Sequence, residues 1–454
     1  MARVVSVTSI AVQRDSRTFK FAASVARLGH ESVVVEGEPS TMLDRELPFK
    51  LISPENAPEP PAFGAPEGEA DDAAPTEPAP LPLVGSLARK LPTAAINPLR
   101  RVADAAISSF TLVRLYLRDI ARRNRETRGL LPDADVYWLH GFWQFPAVYS
   151  KSRRAGARLL YDTPDAYWEP GQTPVEDRIS RMFVRLYERI ERYCARHAER
   201  FTTVSGGIAE LLERRYGRRP EVVRNFHDLR LDEEADGDVR TASGVGPDDF
   251  LLVVVGNMKP EVTVKESLLA LRDLPDRVHI AFVGRGHEVN RGLAEELGLS
   301  DRVHLLGHLV PTEIVSFIRT ADAAPVLSRA ATNNDLYSLP NKFFHAVAAG
   351  LPVLYPPLPE MSALGHEHEL GVEIDPADPA SIAAGIRTLS ADPDAIARYR
   401  ANVERARKVL NWEREEAVLA DFLGAATPRP QYPHRFRLRR GGPNGPRSVE
   451  ERMD

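Results

Sequence analysis

Apolar runs of strand length alternate with amphipathic stretches of helical period almost from the start of the chain. "VVSVTS" leads into "SRTFKFAASVARLGH" and then "ESVVVEG", which reads as strand, helix and strand of one parallel crossover unit. The alternation resumes with "DADVYWLHG" and "GARLLYDTP", a long helix from Val175 to about Arg200, the strand "RFTTVS", the helix "GGIAELLERRYG" and a closing strand "PEVVRN". A second series starts at "FLLVVVGN" and runs through "RVHIAFVGRG", "RVHLLGH", "ADAAPVLS", "LPVLY" and "GVEID" with helices between them. This pattern predicts an α/β protein of two Rossmann-like domains facing a central cleft lined by the C-terminal ends of the strands.

The first domain spans 1–226 and the second 250–410. Between them "HDLRLDEEADGDVRTASGVGPDD", residues 227–249, reads as an acidic, turn-rich linker. Helices follow at 379–390, 393–409 and 411–424. The last belongs to a C-terminal segment, 411–426, for which a return to the first domain is one option. Two stretches break the alternation. Residues 48–83 turn to Pro, Glu, Ala and Asp, a composition that cannot supply a packed core and predicts a disordered insertion. Residues 427–454 lack periodicity and read as a disordered tail.

Composition narrows the class. A chain of 454 residues that is 43% hydrophobic can bury full cores, and a formal net charge of −5 argues against general nucleic-acid binding. The single cysteine, Cys194, cannot form an intrachain disulfide and favours a reducing compartment. No apolar stretch reaches spanning length, and the amino terminus reads as a buried strand, not a signal peptide. A cytoplasmic location follows as the expectation. The segment 86–128 is rich in arginine interleaved with Leu, Ile, Phe and Val. It leaves two readings open: a basic surface for peripheral contact with the inner face of an anionic membrane, or a solvated face packed on the sheet.

Candidate chemistry concentrates in the second domain. In "YSLPNKFFHAVAAGLPV" Ser338 suits an N-cap, Pro340 the first turn, and Phe343, Phe344 and Val347 follow at helical spacing before Gly350 and Pro352 end the helix. Lys342 then falls in the first turn, where a cation forgoes ~0.3–1 kcal/mol of dipole stabilisation. A resident anion explains it better than stability does, with a solvated surface lysine as the alternative. The free N–H groups of Leu339, Asn341 and Lys342 would point the same way. Lys259 and Lys265, in or just after the loop that leaves "FLLVVVGN", suit a diphosphate. Gly284 and Gly286 in "FVGRG" allow close backbone approach of a flat ligand. Each of these alone also fits an ordinary surface or turn.

The order of these segments resembles the family-4 glycosyltransferases of the GT-B fold. The resemblance is carried by "DSRTFKFAASVARLGHE", "YDTPDAYWEP", "ERYCARHAERFTTVSGGIAELLERRYG", "VRNFHD" and "FVGRG…DRVHLLGHLVPTEIVSFIRTADAAPVLS…SLPNKFFHAVAAGLPVL". It implies an enzyme of hexosyltransferase type that binds a nucleotide sugar in the second domain and an acceptor in the first: a glycan, a lipid-linked sugar or a small molecule. Transfer with retention and without an essential metal or cofactor is implied as well. By position, Lys265 matches the lysine that grips the diphosphate. Asn257 stands where an arginine is usual, so Lys259 becomes its substitute. The turn from Leu339 to Lys342 matches the backbone that binds phosphate and sugar. His140 matches an active-site histidine at a strand end, and Asp162 and Asp165 become acceptor-side candidates beside Pro164, where relatives often carry histidine. Tyr337 and His345 replace a pair of glutamates, the second of which grips the ribose, and Glu360 becomes a further candidate for donor contact. The replacements keep two alternatives open, a non-catalytic binding or regulatory protein and a sugar-nucleotide epimerase of the same fold.

Overall fold

The computed structural model describes residues 1–39, 46–54, 118, 120–168, 178–259 and 262–424. In the first domain β1 (Arg3–Thr8) is followed by α1 (Ser16–Arg27), β2 (Glu31–Glu36), β3 (Lys50–Ile52), β4 (Val136–His140), α2 (Phe145–Ala155), β5 (Arg158–Asp162), α3 (Arg178–His197), β6 (Arg200–Thr203), α4 (Gly206–Tyr216) and β7 (Glu221–Val222). The strands form one sheet in the order β3-β2-β1-β4-β5-β6-β7, and every pairing is parallel. The central strands are apolar along their length because helices cover both faces, so even Trp138 and Tyr137 are sealed. The order reverses between β1 and β4, where Thr8 pairs with His140 at the carboxyl ends of the two strands. Ligand crevices of open α/β sheets form at such a switch point.

The second domain contains α5 (Val239–Ser243), β8 (Phe250–Val255), α6 (Val264–Arg272), β9 (Val278–Val283), α7 (Arg291–Glu296), β10 (Val303–Leu306), α8 (Ile314–Ile318), β11 (Ala324–Pro325), α9 (Asn333–Leu336), α10 (Asn341–Ala348), β12 (Val353–Tyr355), α11 (Pro359–Glu367), β13 (Gly371–Glu373), α12 (Pro379–Ser390) and α13 (Pro393–Ala406). Two ladders, β10-β9-β8 and β11-β12-β13, join through the parallel bridge of Leu252 with Ala323 and two backbone bonds beside it. The order therefore reverses between β8 and β11, the same switch as in the first domain. A last helix, α14 (Trp412–Leu423), packs on the first domain. Trp412 is fully buried among Phe21, Val136, Trp138 and Leu160 and donates its indole N–H to Ser24 Oγ at 2.8 Å.

Three expectations change. Residues 50–52 are not part of a coil-like insertion: they add strand β3 to the sheet edge, and Phe49 is buried against Val12, Ala22 and Val34. The rest of that insertion, 55–83, lies outside the described residues, as do 86–117 and the tail from 425. The described part of the basic segment, 118 and 120–128, is helical and docked, as the second of its two readings has it: Arg123 donates to the Ser9 carbonyl, and Asn124 bonds the backbone of Trp143 and Ala147. The linker is also built. Asp228, fully buried, pairs with Arg27 and Arg230, and Asp238 caps α5 through the N–H groups of Arg240 and Thr241.

Candidate active site

The first domain contributes the ends of β4 and β5. His140 is 5% exposed, its ring stacked over Trp138 and edge-on to Phe21, with Nδ1 3.3 Å from Asp162 Oδ2. Asp162 is itself completely buried. It takes a bidentate pair from Arg17 at 2.8 and 2.6 Å and a hydroxyl bond from Thr202 at 2.6 Å. Burial alone would raise the pKa of this carboxyl, but the Arg17 charge and hydrogen bonds, with His140, hold it well below the usual carboxylate range. The expectation that Asp162 meets an acceptor hydroxyl therefore gives way: its oxygens are already taken. With His140 Nδ1 within hydrogen-bond distance of this carboxylate, Nε2 is the ring nitrogen left for a ligand. Among the described residues Nε2 is buried without a hydrogen-bond partner, an orphan that a ligand hydroxyl would satisfy.

Asp165, three residues on, is partly buried. Burial pushes its pKa up to about 6, opposed by Lys259 of the second domain and reinforced by Asp335. The charge of Lys259, from the second domain, thus acts on Asp165 of the first.

In the second domain two glycine turns lie against each other at the carboxyl ends of β8 and β9. Asn257 Oδ1 accepts from the Arg285 N–H at 3.0 Å, and the Met258 N–H bonds the Arg285 carbonyl at 2.9 Å. A Cβ on Gly284, whose φ is +150°, would stand 2.3 Å from the Gly256 carbonyl oxygen. Glycine at 284 is thus required by the neighbouring turn, which replaces the expectation of a flat ligand at that position. Gly286, at φ +84°, faces the Met258 side chain. His287, which the sequence reading passed over, is 1% exposed and hydrogen-bonds the Gly256 carbonyl through Nε2 at 2.8 Å. Burial lowers its pKa, and the Lys342 charge lowers it further.

Helix α10 begins later than the sequence suggests. Pro340 is its N-cap, no side chain among the described residues caps it, and Ser338 donates to the Asp335 carbonyl. Lys342 is the second helical residue, with Nζ on Ser328 Oγ at 2.9 Å. Ser328 follows β11 and pairs in a bridge with Val262, just before α6, whose second residue is the exposed Lys265. Through Ser328, Lys342 is thus joined to the loop that carries Lys259 and leads into the start of α6, past the carboxyl ends of the two central strands β8 and β11. Leu339 is 5% exposed, its side chain in the core, so only its backbone is on offer.

Three candidates turn to the domain junction. Asn341 donates to Ser16 Oγ at 3.2 Å and accepts from Asn225 at 2.6 Å. His345 packs edge-on to His227 of the linker, with ring centroids 5.1 Å apart. Burial drives its pKa well down, with His227 and Lys20 adding to the effect, so the ring is neutral, and among the described residues Nδ1 has no partner. Glu360 is the clearest departure. Its Oε1 accepts the Gly207 N–H at 2.6 Å and caps α4, where a carboxylate meets the positive end of the helix, so the donor contact expected of it is replaced by a bond between domains. Tyr337 lies beside it, its carbonyl accepting from Ser205 Oγ at 2.8 Å.

Among the described residues, no group of three or more His, Cys, Asp or Glu side chains is placed to hold a metal. No described helix is long and apolar enough to cross a membrane.

Comparison with known proteins places this geometry. Residues 16–225 match the glycosyl transferase 4-like domain, and residues 237–409 match the glycosyl transferases group 1 model. D-inositol 3-phosphate glycosyltransferase 1 of Catenulispora acidiphila is 27% identical over 247 residues, 50% of this chain and 58% of that protein. D-inositol 3-phosphate glycosyltransferase of Thermobispora bispora is 26% identical over 324 residues, 64% of this chain and 70% of that one. Among solved structures, Anabaena Alr3699/HepE in complex with UDP superposes with a TM-score of 0.62 at 15% identity, over 93% of this chain and 99% of that one. Two Rossmann-like domains in that arrangement, each matched by the corresponding family model, make the chain a member of the group 1, family-4-like glycosyltransferases of the GT-B fold.

Proposed function

We propose that the protein transfers a sugar from a nucleoside-diphosphate sugar to an acceptor hydroxyl, with retention and without a metal. The carrying observation is Lys342, held by Ser328 at 2.9 Å at the start of α10, which among the described residues has no side-chain cap, and joined through Ser328 to the loop before α6 that carries Lys259. In the transition state the bond from the anomeric carbon to the diphosphate oxygen breaks and negative charge grows on that oxygen. Cations and helix N–H groups fixed in advance stabilise that charge more than the ground state. His140 Nε2 accepts from a donor-sugar hydroxyl and fixes the orientation of the anomeric carbon. Asp165, from the other domain, meets the acceptor hydroxyl.

The relatives' names make an inositol phosphate the first acceptor to try, and the UDP complex of Alr3699/HepE makes uridine the first base. Glycans and lipid-linked sugars are the other acceptor classes. The Lys342→Met and Lys265→Ala variants, each removing a charged hydrogen-bond donor worth about 1.5–3 kcal/mol, should lower kcat/KM about tenfold to a hundredfold. Product analysis with labelled UDP-, GDP- and ADP-sugars reads this directly. A second reading, a binding protein without turnover, is favoured by His345, which is packed on the linker where relatives place a ribose-gripping glutamate. Silence of UDP, GDP and ADP in a thermal-shift panel would select it. Donor conversion without acceptor would select an epimerase.

A further inference from the structure

One of the bonds between the two domains is made by a carboxamide. Asn334, in α9 and 3% exposed, accepts the Ala166 N–H through Oδ1 at 2.8 Å and donates through Nδ2 to the Ala166 carbonyl at 3.1 Å. A primary amide is the side chain that offers a donor and an acceptor side by side, so it satisfies both backbone groups of one residue at once. Both bonds are shielded from water, and breaking them leaves the Ala166 groups unsatisfied. The gripping segment is itself fixed. A capping box between Thr332 and Asp335 starts α9, and the Tyr337 ring occupies the space over Gly207, where a Cβ would lie 2.1 Å from it.

Ala166 directly follows Asp165. We propose that Asn334 is a positioning residue for the acceptor, holding the Asp165 carboxyl toward the second domain by gripping the Ala166 backbone. The inference rests on the transferase reading above. Lys259 and Asp335 face Asp165 from the second domain, and Arg17, Glu191 and Tyr167 face it from the first. Its raised pKa, about 6, comes chiefly from burial, which the grip maintains. Released, the loop takes up water and the carboxyl returns toward its ordinary value.

The test uses the full chain as Asn334→Ala and Asn334→Asp. Hydrogen exchange is followed over residues 163–168, alongside steady-state transfer from a labelled UDP-sugar to inositol 3-phosphate across pH. In Asn334→Ala, loss of the acceptor for the Ala166 N–H should speed local exchange about tenfold, and kcat/KM for the acceptor should fall by a similar factor. UDP affinity should stay within about twofold, since that site is built from other residues. The acid limb of the rate profile should move down. Asn334→Asp keeps an acceptor for the N–H but sets a third carboxyl beside Asp165 and Asp335, so its acid limb should move up. Unchanged exchange in Asn334→Ala overturns the grip, whatever the activity. A loss of stability with donor and acceptor parameters falling together and no movement of the acid limb overturns the positioning role. Faster exchange in a protein whose wild type transfers no sugar from any labelled donor overturns the inference through the transferase reading, with the grip intact.

Discussion

Replacing Asp162 by alanine tests the charge network beneath His140. The carboxylate is fully buried, and the Arg17 guanidinium that it pairs with is 5% exposed. After the substitution Arg17 keeps the Val223 carbonyl, which accepts from Nη1 at 2.7 Å, but its charge loses the carboxylate it is bonded to. Removing one partner of a buried pair costs about 3–5 kcal/mol, because the other charge stays desolvated. For a domain of this size each kcal/mol moves Tm by about 2–4 °C, so the first domain should melt about 6–20 °C lower. Urea and thermal melts of the intact chain supply both numbers.

A double variant, Arg17→Met with Asp162→Leu, removes both charges and should recover most of the loss. The pH dependence carries a sign. The folded-state pKa of Asp162 lies below its ordinary value of 3.8, so the stabilisation is whole above that value and is lost only as pH falls through the depressed one. The difference between wild type and Asp162→Ala should therefore be flat from weakly acidic to neutral pH and shrink in strong acid. A loss under about 1 kcal/mol, or a double variant no more stable than Asp162→Ala, would refute the reasoning.

Two further outcomes follow from buried groups of the first domain and its last helix. Glu191 is fully buried and accepts from Tyr161, Thr163 and Tyr216. Burial raises its pKa from 4.5 to about 7, so the folded protein holds a proton that the unfolded chain has lost, and stability falls as pH rises through that window. Glu191→Gln should flatten this slope in a series of thermal melts. Trp412→Ala empties a fully buried site and removes the bond to Ser24. A cost of about 3–5 kcal/mol should release α14 from the first domain, read as faster limited proteolysis after residue 410.

The two-domain α/β fold and the strand ends that carry the candidate residues are legible in the chain alone. Those depend on local patterns: apolar runs as long as a strand, helices of matching period, and glycines where the chain must turn. It also marked Lys342, because a cation at a helix start is a conflict visible within one turn of chain. Tertiary structure decided which side chains remain available at those positions. Asp162 occupies the strand end that the pattern assigned it, but Arg17, Thr202 and His140 converge on it from three other elements. Glu360 is consumed by Gly207, 153 residues away in sequence. His287 and Asn334 gave no local signal, since the carbonyl of Gly256 and the backbone of Ala166 reach them only after folding. Periodicity records which face of an element is buried; the partner that waits there is set by contacts between distant segments, which no single stretch of sequence encodes.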